Sequence, residues 1–359
     1  MPIQAIHVGC GKFSLQRLKI LIDGNKFNPV ACVDINLEKA KSKLSLIKGE
    51  KINNLSGKVF TTITEAKKTC DAKVCFIFVS SKEHSKLVIE SLSLGMHTFC
   101  VKPIARNKKE FKEIMNTYNS NPKLMLLQGF NNQWNEAALK MREWMQNDDG
   151  IGKMLGGECL CWARQNLKST PPLDDVTAEG MFFYALACHQ LSQLVAAKGL
   201  PDYVTALVQN RVDTELDYKG VFGTSGGQCL FEYPDGVPFS YIGTRAAHGN
   251  LFGFASRWSG HWIIHGEQGD IKREGGHLTL YKNGGPVKDY YLKDLDDNLI
   301  EDDRIQFEAF YDALMTGKDR KSLQQSSFDT WILMEACNES ARRNEKISIN
   351  ELKKYFYGK

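Results

Sequence analysis

The chain has 359 residues, of which 42% are hydrophobic, 10% aromatic and 25% charged. That length exceeds one ordinary hydrophobic core and predicts two domains, while the composition excludes a disordered or low-complexity chain. The net charge of +4 is too small to favour a nucleic-acid partner. Apolar runs are about a third as long as a bilayer crossing needs, and no signal peptide begins the chain, so we expect a soluble cytoplasmic protein without a membrane partner.

The ten cysteines could form disulfides, but most of them lie in strand-like apolar runs, where cysteine acts as a small hydrophobe. No pair has CxxC spacing, and Cys159 and Cys161 are two residues apart on a predicted strand. The sequence therefore predicts reduced, buried thiols and no metal site.

The first third of the chain alternates apolar runs with helical patterns. The predicted strands are Ile3 to Val8, Val30 to Val33, a run from Val59, Val74 to Val79, His97 to Val101 and Leu124 to Leu127. Thr62, Ser80 and Asn107 are predicted helix N-caps, each with a glutamate three residues later. Continuous apolar strands joined by helices predict an α/β domain, residues 1–128, with a doubly wound parallel sheet.

Beyond residue 128 the strands become longer and alternate with a period of two. The predicted strands are Gly157 to Arg164, Tyr203 to Asn210, Gln228 to Tyr233, Pro238 to Thr244, Trp262 to Gly266 and His277 to Tyr281. They predict an α+β domain, residues 129–359, with a largely antiparallel open sheet. Several of these strands are too apolar for both of their faces to be exposed to solvent. We therefore expect a homodimer or homotetramer formed through this sheet.

A glycine turn follows the first predicted strand. Gly9 and Gly11 would let the backbone approach a pyrophosphate at a helix N-terminus, although Ser14 occupies the third glycine position. Asp34 ends the second predicted strand, where a carboxylate can accept both ribose hydroxyls of NAD and would repel the 2′-phosphate of NADP. The pattern predicts NAD as cofactor, with a purely structural turn as the alternative.

Lys102 and Pro103 follow the fifth predicted strand, at the edge of an open parallel sheet where ligands bind. Lys102 is therefore placed for catalysis. The alternative from position alone is a solvated loop lysine before a turn proline.

The order of these motifs resembles the Gfo/Idh/MocA family of NAD(P)-dependent oxidoreductases. The residues that carry the resemblance are the GxGxxS turn, Asp34, Val79 to Ser81 with His84, Lys102-Pro103, Gly129 to Asn132, Gly180 to His189, Gly266 to Ile271 and Trp331 to Arg342. They span nearly the whole chain. The resemblance implies an N-terminal Rossmann domain that binds NAD, followed by a domain for substrate binding and oligomerisation.

The resemblance also implies roles for individual residues. Those expected to contact the cofactor are Gly9, Cys10, Gly11, Lys12, Phe13, Asp34, Val79, Ser80, His84, Lys102, Pro103 and Asn131. Lys102 and His189 would be catalytic. Those expected to contact the substrate are Lys102, Arg164, Tyr184 and His189, although Arg164 could instead form a surface salt bridge.

Two positions depart from the family pattern. Val101 replaces the usual glutamate before the lysine, and Ala185 replaces the usual aspartate four residues before His189. A carboxylate one helical turn before an imidazole can orient it and favour its protonated form, and alanine can do neither. Tyr184, Asp174, Asp175 or the substrate could orient His189 instead, and without the resemblance a histidine in an apolar helix is more often a core residue.

The leading functional hypothesis is an NAD-dependent oxidoreductase that acts on a secondary alcohol or ketone of a sugar, polyol or sugar derivative. Lys102 and His189 would exchange the hydroxyl proton. One alternative, which Ala185 supports, is a non-catalytic dinucleotide-binding sensor or regulator. The other is an enzyme that uses NAD in a redox-neutral elimination or glycoside cleavage.

Overall fold

The computed structural model describes residues 1–47, 54–163, 182–209, 226–245, 247, 260–292 and 299–358. The chain forms two compact units, the first from Met1–Gly129 and Asp303–Ser327, the second from Phe130–Asp302 and Phe328–Lys359. The sequence predicted domains of residues 1–128 and 129–359, so it assigned residues 303–327 to the second domain. In the structure these residues belong to the first unit. A helical pattern alone does not reveal which sheet a helix packs against.

The first unit contains a six-stranded sheet of order β3-β2-β1-β4-β5-β6. Its strands are β1 (Ile3–Val8), β2 (Phe27–Val33), β3 (Val59–Phe60), β4 (Val74–Ile77), β5 (His97–Val101) and β6 (Leu126–Gly129). Every neighbouring pair is parallel. This is the strand order of a dinucleotide-binding fold, whose ligand edge lies at the carboxyl ends of the strands. The predicted doubly wound parallel sheet is confirmed.

Helices connect these strands. They are α1 (Lys12–Asp23), α2 (Leu37–Ser45), α3 (Ile63–Thr69), α4 (Ser81–Ser93) and α5 (Lys108–Asn119). Two of the predicted N-caps are present. The Thr62 side chain accepts the N–H of Glu65 at 3.1 Å, and the Asn107 side chain accepts the N–H of Glu110 at 3.0 Å. Ser80 is the N-cap of α4, but its side chain makes no capping hydrogen bond.

The returning segment completes the core of the first unit. Helix α8 (Leu299–Thr316) contributes Phe307 and Phe310 to a buried aromatic cluster with strand residues such as Phe76 and Phe99. The Phe307 ring centroid lies 5.2 Å from that of Phe99 and 5.5 Å from that of Phe76. Buried aromatic pairs at such separations stabilise a core beyond their burial alone. The helix is therefore part of the first hydrophobic core.

The second unit contains a nine-stranded sheet of order β14-β13-β12-β11-β7-β10-β9-β8-β15. Its strands are β7 (Met154–Trp162), β8 (Tyr203–Gln209), β9 (Gly226–Glu232), β10 (Pro238–Thr244), β11 (His261–Gly266), β12 (Gly269–Glu274), β13 (His277–Lys282), β14 (Gly285–Tyr291) and β15 (Ile347–Ser348). All recorded pairs are antiparallel except β7 with β10, which are parallel. The predicted, largely antiparallel sheet is confirmed.

The second unit also contains helices. They are a 3₁₀ helix (Asn131–Trp134), α6 (Glu136–Gln146), a π-helical segment (Phe183–Ala187), α7 (Cys188–Lys198), α9 (Arg320–Arg343, which begins in the first unit) and α10 (Ile349–Tyr357). None of the helices in the described ranges is long and apolar enough to cross a membrane. All ten cysteines carry free thiols, and nine of them are buried.

Candidate cofactor and active site

Two glycines shape the turn between β1 and α1, each for a different reason. Gly9 has a φ of +99°, and a Cβ there would lie 2.3 Å from the carbonyl oxygen of Phe78. Only glycine fits such a backbone approach. At Gly11, by contrast, a Cβ would meet no described atom within 4 Å, so this glycine faces open space. The turn thus combines close packing behind Gly9 with room for a ligand above Gly11.

The N-terminus of α1 suits an anion. Gly11 is its N-cap, no side chain of the described residues caps it, and its first turn holds no acidic residue. The first amide groups of a helix have no partner within the helix, and their dipoles favour negative charge. A dinucleotide pyrophosphate would satisfy both. The residues present therefore fit the predicted cofactor.

Ser14, at the third glycine position of the motif, has a hydrogen-bonding role in this turn. Its hydroxyl donates to the Gly9 carbonyl oxygen at 2.5 Å and lies 2.8 Å from Nε2 of His7. Because the hydroxyl has one proton, His7 must donate from Nε2. Burial lowers the pKa of the His7 imidazole to about 3, so the ring is neutral at physiological pH. His7 therefore holds Ser14 and the turn, a role that its place in an apolar strand did not signal.

Asp34 lies directly after β2 and is half-buried. Its Oδ2 accepts the N–H of Cys10 at 2.8 Å, and its Oδ1 accepts the N–H of Asn36 at 2.9 Å. A carboxylate has about four acceptor positions, so two hydrogen bonds leave capacity for two ribose hydroxyls. The structure thus brings the glycine turn and the predicted ribose-binding residue together.

His84 has a different environment from the one expected. The sequence suggested a helix-start residue at the cofactor edge, but the ring is buried, with 1% of the residue exposed. Its Nδ1 lies 2.7 Å from the Pro103 carbonyl oxygen and its Nε2 lies 3.0 Å from the Val79 carbonyl oxygen. Both nitrogens are thereby directed at backbone atoms of the protein. His84 links the chain segments after β4 and β5, and the cofactor contact expected of it stays a prediction.

Buried side chains hold the backbone next to Lys102. Lys102 follows β5 and is half-buried, and the peptide bond to Pro103 is cis. His84 holds the Pro103 carbonyl, and the next N–H, that of Ile104, donates to Oε1 of the buried Gln128 at 2.8 Å. Buried side chains from α4 and β6 thus hold the chain directly after Lys102. Such support is what a reactive side chain at a loop requires.

The other residues expected to contact the cofactor differ in exposure. Cys10 and Pro103 are buried, Val79 and Asn131 are half-buried, and Lys12, Phe13 and Ser80 are exposed. Asn131 lies in the 3₁₀ helix of the second unit, whereas the others lie in the first.

His189 lies in the first turn of α7, immediately after the π-helical segment. Between Phe182 and Val195, only Ala185 and His189 are not buried. They therefore share the one partly exposed face of this helix. Interruptions of helical geometry such as a π-helical turn occur frequently at functional sites.

Tyr184 is directed away from that face. It is fully buried, and its hydroxyl donates a short hydrogen bond to Oε2 of Glu335 on α9. Burial, and then the neighbouring carboxylate, raise the pKa of the Tyr184 phenol, which stays protonated. Tyr184 thus makes a core contact with Glu335, and its expected roles as substrate contact or support for His189 stay predictions. Arg164, Asp174, Asp175 and Gly180 lie outside the described residues.

A buried arginine anchors the helix that carries His189. Arg273 has no exposed surface, and its Nη1 donates to Oε1 of Gln193 on α7 at 2.7 Å. Gln193 in turn donates to the His189 carbonyl oxygen at 3.0 Å. This chain of hydrogen bonds from β12 fixes the start of α7, and no motif pointed to it. Within the part of the chain that the structure describes, no three metal-ligating side chains are grouped to hold a metal ion.

Comparisons with known proteins agree with this geometry. No curated protein matches the chain in sequence. Solved structures match it along nearly its whole length. An oxidoreductase from Agrobacterium radiobacter, solved with NAD+, L-tartaric acid and magnesium, has a TM-score of 0.78 and 17% identity, covering 98% of this chain and 100% of its own.

Two further solved structures are dehydrogenases. A myo-inositol 2-dehydrogenase from Lactobacillus plantarum has a TM-score of 0.75 and 19% identity, covering 97% of this chain and 99% of its own. A levoglucosan dehydrogenase, solved with NADH and levoglucosan, has a TM-score of 0.78 and 16% identity, covering 97% and 100%. At these identities the likeness shows a shared fold.

The family comparison concerns the first unit. Residues 3–129 match the Gfo/Idh/MocA family, described as an oxidoreductase family with an NAD-binding Rossmann fold. That range contains β1 to β6, the glycine turn, Asp34 and Lys102. The resemblance recognised in the sequence and the NAD cofactor are thereby confirmed, and residues 3–129 form an NAD-binding Rossmann domain of the kind that this family's model describes.

Proposed function

We propose that the protein transfers a hydride between NAD and a secondary alcohol or ketone of a sugar, polyol or sugar derivative. The observation that carries this proposal is the position of Lys102, half-buried at the carboxyl edge of the NAD-binding sheet on a backbone held by His84 and Gln128. Ligands bind at that edge of such sheets. The myo-inositol and levoglucosan dehydrogenases among the fold neighbours support a sugar-like substrate.

NAD, when bound, supplies the hydride acceptor or donor. The Lys102 ammonium would hydrogen-bond the substrate oxygen, stabilise negative charge that develops on it and exchange the hydroxyl proton, a type of assistance worth roughly 10² to 10⁴ in rate. His189 would assist the proton exchange from its partly exposed face. Because Ala185 offers no carboxylate to hold and charge the imidazole, we assign the larger share to Lys102.

Asp34 favours NAD over NADP. Its carboxylate would accept ribose hydroxyls and repel a 2′-phosphate. The two residues that follow, Ile35 and Asn36, offer no cation for that phosphate, and Ile35 is 94% exposed.

We also propose a homodimer or homotetramer formed through the sheet of the second unit. Helix α9 covers one face, where Ser340 Oγ accepts the N–H of Ala206 at 2.8 Å. The other face presents Tyr203, Leu207 and Leu230, which are 42%, 59% and 45% exposed. Exposed apolar side chains grouped on one sheet face favour association.

The function is tested by incubating the protein with NAD+ and a panel of polyols, sugars and sugar derivatives. Absorbance reports NADH, and chromatography reports products. NADH formed in step with an oxidised product supports the proposal. Product without net NADH would replace it with a redox-neutral elimination or glycoside cleavage. Measured NAD+ binding with no product from any compound would replace it with the sensor that Ala185 favours.

A further inference from the structure

A buried ion pair joins α1 to the returning helix α8 within the first unit. Nη2 of Arg17 lies 2.6 Å from Oδ2 of Asp303, and the two side chains are only 3% and 8% exposed. Burial raises the pKa of Asp303 to about 6, so the carboxyl is charged at neutral pH. Removing two charges from water is costly, and a buried pair of this kind is weak evidence for stability alone. Neither residue has a part in the proton exchange proposed above.

The other contacts of Arg17 are made with the start of α1. Its guanidinium carbon lies 3.5 Å from the centroid of the Phe13 ring, within cation–π distance. Nη1 lies 3.1 Å from Oε1 of Gln16 and 3.5 Å from the Phe13 carbonyl oxygen. Phe13 is two residues after Gly11 and 50% exposed. Arg17 thus connects Asp303 on one side with the first turn of α1 on the other.

That first turn has little other support on the side of Phe13. His7 and Ser14 hold the turn behind Gly9, whereas no side chain of the described residues caps α1. A Cβ at Gly11 would also meet no described atom within 4 Å. The amide groups of this turn are those that fit a pyrophosphate, and small displacements of hydrogen-bond donors weaken the binding of an anion.

We propose that Asp303 is a positioning residue for the NAD pyrophosphate. It holds Arg17, which holds Phe13 and with it the first amide groups of α1 in the place where the anion binds. Asp303 acts without touching the cofactor. This role goes beyond the proposed function, because it concerns cofactor binding and holds for any substrate.

The test is the affinity for NAD+, measured by titration calorimetry without substrate. We expect Asp303→Asn to weaken binding about tenfold, or about 1.4 kcal/mol. The matched control is Asp312→Asn on the same helix. Asp312 pairs with Lys26 at 3.2 Å, is 62% exposed and lies near the start of β2, at the edge opposite the glycine turn. Its removal should leave the affinity unchanged.

Further variants separate positioning from folding. Because Asp303→Asn leaves Arg17 buried without its partner, thermal unfolding is measured for every variant. The double variant Arg17→Met with Asp303→Leu removes both charges, a change that folded proteins tolerate well. It too should bind NAD+ about tenfold more weakly. In a Phe13→Leu background, Asp303→Asn should change the affinity less than in the wild type, because the cation–π contact is lost and only the 3.5 Å contact of Arg17 with the backbone carbonyl oxygen remains.

Two results would overturn the inference. One is a folded double variant that binds NAD+ as tightly as Asp312→Asn. The other is a loss of affinity on Asp303→Asn that is undiminished in the Phe13→Leu background. A wild-type protein that does not bind NAD+ would instead contradict the cofactor assignment, and this inference with it. Failure to turn over any substrate would affect only the proposed reaction.

Discussion

The Asp34 carboxylate accepts the N–H of Cys10 at 2.8 Å, so the residue assigned to the ribose also holds the glycine turn beside it. Its second oxygen accepts the N–H of Asn36. One side chain thereby connects the ends of β1 and β2 at the ligand edge of the sheet. A change at Asp34 is therefore expected to alter both the choice of cofactor and the strength of binding.

We predict that the wild-type protein binds NAD(H) at least about tenfold more tightly than NADP(H), or about 1.4 kcal/mol. Asp34→Ala should narrow this ratio, because the repulsion of the 2′-phosphate is lost, and should weaken NAD(H) binding, because Cys10 loses its acceptor. Dissociation constants for both cofactors measure the two effects. Glu38→Gln, at an 88% exposed side chain on α2, is the control for lost charge. Equal affinities of the wild type for both cofactors would contradict the role of Asp34.

We predict that His7 makes the protein less stable in acid. Its pKa is lowered from 6.5 to about 3 by burial, so the unfolded chain binds a proton in this range that the folded protein does not. Stability is therefore full above pH 6.5 and falls as pH decreases, by about 1.4 kcal/mol per pH unit from this group. His7→Gln should be less stable than the wild type at neutral pH and show a shallower decline. Denaturant unfolding from pH 4 to 8 measures the slopes.

The control for this measurement is Asn119→Gln, at an exposed position of the first unit, which adds and removes no titratable group. Its slope should match that of the wild type. If the free energy of unfolding of the wild type and of His7→Gln declined equally with decreasing pH, His7 would not be the group responsible for the loss of stability in acid.

We predict that Ala185→Asp shifts the pH optimum of turnover upward. Ala185 and His189 share the partly exposed face of their helix, one turn apart, so the new carboxylate would favour the charged imidazole. The pH dependence of kcat/KM, measured with any active substrate, reports the shift. Ala197→Asp, on the same helix and away from His189, is the matched control. Identical pH profiles for Ala185→Asp and the control would exclude His189 from the proton exchange.

We predict that Leu230→Glu separates the oligomer. Leu230 is 45% exposed on the open face of the second sheet, where burial of a new charge would oppose association. Light scattering at micromolar concentration should give at least twice the mass of one chain for the wild type and the mass of one chain for the variant. Met315→Glu, at a 56% exposed position on α8, should leave the assembly intact. A monomeric wild type would remove the basis for the proposal.

Both sheets could be predicted from the sequence, because apolar runs, glycines and helix caps are local signals. Strands β12, β14 and β15 were not predicted, and β14 left no such signal because all of its residues are exposed or partly exposed and show no apolar alternation. The return of α8 and the pairing of Arg17 with Asp303 depend on contacts between residues distant in the chain. Local patterns do not encode such contacts.

In the candidate site, too, local sequence signals predicted some features, and contacts between distant residues determined the others. The position of Lys102 after β5 follows from strand order and from the resemblance to the family. The burial of Tyr184 against Glu335 and of His84 between two carbonyl groups does not, because a polar side chain near a motif can face the core as readily as the ligand. Ala185 and His189, by contrast, were placed on one face by their spacing of four residues alone.

The central claim is that Lys102 carries the proton exchange of an NAD-dependent oxidoreductase, and Lys102→Met tests it most directly. With an active sugar or polyol, kcat should fall by about 10² or more while the NAD+ dissociation constant changes by less than about twofold. Lys73→Met, at a 61% exposed lysine before β4, should retain wild-type turnover. Turnover of Lys102→Met at the wild-type rate would contradict the account.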